Sequence, residues 1–317
     1  PLPLPARFVA VGLACVGVTA AFGARFALAL AGLVSSPLLI DLHAVGIPVH
    51  AAAGFGGWLT FTAVGVSYRL LPMFMLAPDH ERPTGHVVLH AGGAALFVAV
   101  LAAPAEAILY GTAVSFLIAG MLALVALAAY AADLSFFYRM RKRRVIELNS
   151  KAALGAFAGL YLSALLLLFL WATGTVTAQA GALVYLVAFG WLTGLGLSQL
   201  YKIVPFLTWL ECYGPVMGRK PTPRVQDLVV ERRGGGWFAV YFLAVAAGTG
   251  ALLGGMPELF RLASAATLAA TLALTVELVL VRRLVNVKAA MRLPEGTTRP
   301  RLFLPPRADT ASMGAAR

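Results

Sequence analysis

Apolar residues run through this chain in long unbroken stretches and do not alternate with polar ones. Several stretches exceed the roughly 18 residues that carry a helix across a hydrocarbon core about 30 Å thick. In lipid every backbone N–H and C=O must be paired internally, so only helices or a closed barrel can span. A barrel needs alternation, and the runs lack it. The pattern therefore predicts an all-α polytopic membrane protein with eight transmembrane helices, near residues 6–34, 40–70, 86–109, 112–137, 151–172, 178–205, 237–255 and 260–282. Pro37, Pro78 with Pro83, and the stretch from Pro215 to Pro223 mark loops, where a missing N–H costs least.

The positive charges predict the orientation. The densest basic run, Arg139 to Arg144, directly follows an apolar segment and reads as a cytoplasmic signal, with a lipid-headgroup or acidic-partner contact as the alternative. Placing it inside also places inside Arg82, the loop from Arg219 to Arg233, the tail beyond Arg282 and both termini. The segments left outside, around 35–39, 110, 173–177 and 256–259, contain no Lys or Arg. The expected location is a bacterial inner membrane.

Composition agrees: 60% of residues are hydrophobic, 12% are charged and the mean hydropathy is +0.85. Soluble domains carry about twice that share of charge. A net charge of +12 would suggest nucleic acid in a soluble chain, but no basic domain interleaved with aromatics accompanies it. The expected partner is the lipid bilayer, with a second copy of the chain or respiratory-complex subunits as further possibilities. Cys15 and Cys212 imply no disulfide framework. Residues 6–34 lack a short apolar core followed by a cleavage site, so they read as a first span and not as a signal peptide. The tail from Pro294 to Arg317 is too polar and short to bury a core, which predicts disorder.

A shift of 133 residues lays "GWLTFTAVGVSYRLLP" (57–72) over "GWLTGLGLSQLYKIVP" (190–205). Gly57/Gly190, Trp58/Trp191, Thr60/Thr193, Tyr68/Tyr201 and Pro72/Pro205 match, and Arg69/Lys202 keeps the charge. This predicts two parallel four-helix repeats, 1–138 and 151–285, joined by a basic linker over 139–150 and followed by a tail over 286–317. The shared Tyr-Arg/Lys-x-x-Pro predicts a helix end at the cytoplasmic interface. There the ring sits among headgroups, the cation snorkels and proline breaks the helix. Asp133 and Glu277 lie near inner helix ends and are expected to snorkel too. Gly234-Gly235-Gly236 reads as a flexible lead-in to the seventh helix.

The histidines break this symmetry, for all five belong to the first half. The positions equivalent to His43 and His50 hold Val176 and Leu183, so repeat packing does not require imidazole there. On a helix, His43 and His50 fall about 20° apart on one face and about 10.5 Å apart along the axis. The same stripe continues through Gly57, Phe61 and Tyr68, flanked by Gly54 and Gly65. Such glycines leave room either for a close-packed neighbouring helix or for a flat macrocycle. His86 and His90, an i, i+4 pair with His80 and Met73 or Met75 nearby, form a weak metal-binding candidate; a polar loop followed by an interfacial helix start is the plainer reading.

"PVHAAAGFGGWLTFTAVGVSYRLLP" resembles the second transmembrane helix of heme-copper oxidase subunit I, especially the cbb-type oxidases. The resemblance implies that His50 is an axial ligand of heme b, with His43, Gly54 and Gly57 around it. It covers about 25 residues. Beyond His90 the chain has no histidine, so the copper ligands and second heme site of the family are missing and no oxidase centre is implied. The second axial ligand stays open among Met121, His50 of a second protomer, and none, the last leaving a five-coordinate heme for a gas. Asp41 could orient an outer imidazole.

Two other classes compete. A transporter or channel would draw on the repeat and on the polar residues Ser198, Gln199, Asp133 and Glu277, although neither half shows a helix interrupted at mid-membrane. A structural subunit of a larger complex needs only the helices. No phosphate-binding loop, catalytic triad or paired-carboxylate site occurs, which excludes conventional kinases and hydrolases.

Overall fold

The computed structural model describes residues 2–33, 46–111 and 114–293. Among them eight helices are long and apolar enough to cross a membrane: α1 (Leu4–Leu30), α2 (Gly46–Met75), α3 (Pro83–Tyr110), α4 (Val114–Arg139), α5 (Leu148–Ala172), α6 (Ala180–Val216), α7 (Glu231–Leu253) and α8 (Pro257–Arg282). No strand occurs among the described residues. Prolines in the first turns of α1, α3 and α8 sit where an N–H would have no helical partner anyway. Gly111 and Gly174 end α3 and α5 at φ +68°, a left-handed turn that suits a residue without a Cβ. Leu243, Leu262 and Leu268 are 71%, 70% and 60% exposed, a surface suited to hydrocarbon and not to water. The protein is therefore a helical membrane protein.

Cα packing divides the chain into two units, residues 1–146 with 159–166 and residues 147–158 with 167–317. In the first, α1 lies along α2, and α3 along α4. Phe8 of α1 packs 4.6 Å from the ring of Phe61 and stacks on Tyr68 at 5.7 Å. In the second, α7 lies along α8 and both contact α6 in part. Its core holds Leu148, Tyr201, Phe238 and Leu274, with Cys212, Tyr213 and Val281 in a neighbouring cluster.

Two local features recur in the two units, and the first does so near the 133-residue offset. Wide π-helical turns occupy Ala52–Phe61 of α2 and Leu186–Thr193 of α6. Each unit also pins the start of one helix to a buried carboxylate near the end of the next: Arg82 before α3 to Asp133 of α4 at 2.6 Å, and Arg233 in α7 to Glu277 of α8 at 2.5 Å. Asp133 and Glu277 thus do not snorkel. They are 0% and 5% exposed and held by arginines, because a charge left unpaired at that depth would cost several kcal/mol.

Pro72 and Pro205 do not end their helices. α2 runs on to Met75, and the α-helical part of α6 to Tyr213. Proline in a helix interior costs about 3 kcal/mol. Packing of the residues beyond it holds each helix on past the proline. Phe74 and Met75 are buried after Pro72, and Cys212 and Tyr213 after Pro205. Tyr213 also donates from its hydroxyl to the carbonyls of Met291 and Arg292 at 2.8 and 2.6 Å. Gly234 to Gly236 form no flexible lead-in either. They belong to α7, and Gly234 lies against the Tyr201 ring and hydroxyl, so closely that a Cβ would collide with them. His43, Asp41 and the tail from Pro294 lie outside the described residues.

Candidate functional site

The stripe carrying His50 faces α1 along its whole described length. Residues on α1 three or four apart form a ridge of Phe8, Gly12, Cys15, Thr19 and Gly23, and α2 answers it in antiparallel order. Small meets large at each step. A Cβ on Gly23 would lie 3.4 Å from His50 Cε1, and one on Gly54 would lie 3.4 Å from Thr19 Cγ2. Gly57 is closed by Cys15, Gly12 by Thr62 and Gly65 by Phe8, each leaving no space for a Cβ. Val49 and Ala53 are fully buried in the same seam, with Cys15 and Val100. Interlocking small residues of this kind let two backbones approach closely in lipid, where dispersion and not water exclusion drives association.

His50 occupies the first turns of α2. Its ring stands edge-on to Phe26 of α1, with centroids 5.6 Å apart and planes at 65°. Phe26 in turn lies under the guanidinium of Arg25, 5.7 Å away. Nδ1 of His50 is buried and has no hydrogen-bond partner among the described residues. A buried imidazole normally has its tautomer fixed by such a bond, so this nitrogen is an unmet polar group inside an apolar seam.

The other predicted residues fall elsewhere. Met121 is 52% exposed on its helix and is not gathered into the seam. His86 and His90 stack at 6.3 Å with planes 20° apart, and His86 Nε2 lies 3.5 Å from Glu81 Oε2. The other oxygen of Glu81 accepts the Leu4 N–H at 2.8 Å, tying the loop before α3 to the start of α1. His80 packs edge-on against Phe136, while Met73 is exposed and Met75 buried. Among the described residues no group of three or more His, Cys, Asp and Glu side chains is placed to hold a metal ion.

The polar residues that suggested transport are mostly spent on structure. Ser198 donates back to the Leu195 carbonyl at 2.8 Å. Asp133 accepts Tyr68 OH at 2.7 Å, together with Arg82 and Thr84. Gln199 is 9% exposed, and its Oε1 has no partner among the described residues.

Sequence reasoning found the α2 stripe and missed its α1 complement, although Gly12, Cys15, Thr19 and Gly23 show the same small-residue spacing. Comparison with known proteins adds nothing to this geometry: no family model, curated protein or solved structure matches the chain. The likeness of α2 to an oxidase helix rests on its motif alone.

Tested against heme b, the seam fits in part. His50 offers an imidazole whose Nδ1 has no hydrogen-bond partner among the described residues, on a ring that stands edge-on to Phe26. Gly54 and Gly57 offer no cradle, because Thr19 and Cys15 already fill the space beside them. On the α1 side, Gly23 and Phe26 lie against the His50 ring itself.

Proposed function

We propose that this is a multi-pass protein of a bacterial inner membrane that holds heme b through His50 and lacks an oxidase centre. Both termini are cytoplasmic in this reading, and residues 1–138 and 151–285 are parallel four-helix repeats in sequence. The observation that carries the proposal is the buried Nδ1 of His50, unmet in a seam whose equivalent position in the other half is Leu183. Leucine serves at the equivalent position, and an unpaired polar group in an apolar seam costs about 1–3 kcal/mol. Heme would supply one-electron exchange or a binding place for a small gas, in a respiratory accessory role. The chain's own contribution is to orient the imidazole between Gly23 and Phe26 and to exclude water with the closed seam below it.

The test is an absorption spectrum of protein purified after expression with ample heme. A Soret band that His50→Ala abolishes and Met121→Ala preserves is the expected result. A colourless protein overturns the reading.

A second reading is favoured by the filled glycine positions: α1 and α2 form a rigid cofactor-free seam in a structural subunit. Isolation within a stable larger assembly, without colour, would support it.

A further inference from the structure

Between α4 and α5 the chain carries Arg139, Arg141, Lys142, Arg143 and Arg144, with no carboxylate among them. α4 ends at Arg139 and α5 starts at Leu148, so the run lies where spanning helices give way to headgroups and water. A topology signal needs only the charge and no fixed shape. Here the shape is fixed. The Lys142 N–H donates at 3.4 Å to the carbonyl of Leu76, the left-handed residue that ends α2. Arg141 folds back so that its Nη1 donates to the Tyr138 carbonyl.

Two features point to a ligand. Arg141 is half-buried, and its Nε is enclosed with no hydrogen-bond partner among the described residues. A buried donor left unmet costs about 1–3 kcal/mol and calls for an acceptor. Arg139, Lys142 and Arg144 are exposed and enter no ion pair among the described residues. Carboxylates near these helix ends are spent elsewhere in the same unit, Asp79 on Arg69, Glu81 on the Leu4 N–H and Asp133 on Arg82. The second feature is apolar. Met140 and Val145 interrupt and follow the cations at 52% and 72% exposure, and Leu76 beside Lys142 is 51% exposed.

We infer that this run binds an anionic phospholipid, with the phosphodiester on Arg141, Lys142 and Arg144 and the acyl chains against the exposed apolar side chains. A guanidinium suits phosphate oxygens in geometry as well as charge. An acidic polypeptide would meet the cations but leave Met140, Val145 and Leu76 in water. A zwitterionic lipid would bring an ammonium into a run that has no carboxylate to receive it.

The experiment is native mass spectrometry of the full chain in detergent with equal amounts of phosphatidylglycerol and phosphatidylethanolamine added. The expected result is preferential retention of phosphatidylglycerol. Each cation at a membrane surface is worth about fivefold, so Lys142→Ser with Arg144→Ser lowers the preference about 25-fold. Both side chains are exposed, and an unchanged thermal midpoint shows that this variant folds. Arg141→Lys keeps the charge but loses Nε, and lowers the preference too. Arg219→Ser with Arg232→Ser removes the same charge from exposed positions of the second unit and retains the wild-type preference. Equal retention of the two lipids, an equal loss in the two double variants, or capture of octaglutamate in preference to the lipid overturns the inference.

Discussion

Arg82 and Asp133 form an ion pair 2.6 Å long whose carboxylate is completely buried. Tyr68 and Thr84 donate to the same carboxylate, and the Arg82 guanidinium lies 4.0 Å over the ring of Phe136. Removing one partner of such a pair costs about 3–5 kcal/mol, because the other charge is stranded. Asp133→Ala is expected to lower stability by that amount, read as a fall in the thermal midpoint in detergent. The double variant Arg82→Met with Asp133→Leu recovers most of the loss. A smaller loss in Asp133→Ala than in the double variant would refute the pairing. Glu277→Ala in the second unit is expected to cost less, since its partner Arg233 is 45% exposed and solvent screens the pair.

The seam makes a sharper steric prediction. Gly57→Val forces side-chain carbons onto Cys15 and is expected to cost at least about 1–3 kcal/mol. Cys15→Gly opens that space, so the pair Gly57→Val with Cys15→Gly should be more stable than Gly57→Val alone. Additive losses in a double-mutant cycle would show that the two positions are not in contact.

His50 separates packing from ligation. In heme-free protein His50→Leu removes the unmet Nδ1 while keeping bulk against Phe26, so its thermal midpoint should equal or exceed that of the wild type. His50→Ala should fall below both, because it leaves a cavity. With heme supplied, the order of wild type and His50→Leu reverses if iron is bound, since a ligand stabilises only the form that holds it. An unchanged order with heme counts against ligation.

Topology is testable with added thiols. Lys142→Cys, in the basic linker, should react only with reagents reaching the cytoplasmic side, and Gly174→Cys, in the turn after α5, only with reagents outside. Labelling of both from one side would disprove the arrangement.

The eight spans were legible because length and apolarity are the only demands that hydrocarbon makes on a helix, and the chain writes both without interruption. Their ends were less so. Pro72, Pro205 and Gly234 carry strong local signals for a break, yet the energy that overrides them lies in distant partners: Tyr213 bonded to the backbone near residue 291, and Tyr201 pressed on Gly234. The spacing of the α2 stripe put His50, Gly57, Phe61 and Tyr68 on one face, and each touches α1. It could not show that Phe61 also meets α3 and Tyr68 also meets α4, or whether a macrocycle lies on that face. Lys202 looked like a second copy of Arg69. Its burial depends on Glu147, which is 55 residues away in sequence and has no counterpart in the repeat motif.

The tightness of the seam has a practical consequence at Cys15. Its sulfur abuts Gly57, and the chain's other thiol, Cys212, is wholly enclosed, so neither has room to accept a maleimide or a methanethiosulfonate adduct in the folded state. A reporter cysteine can therefore be placed in the unaltered background, and any label taken up before denaturation marks the introduced site.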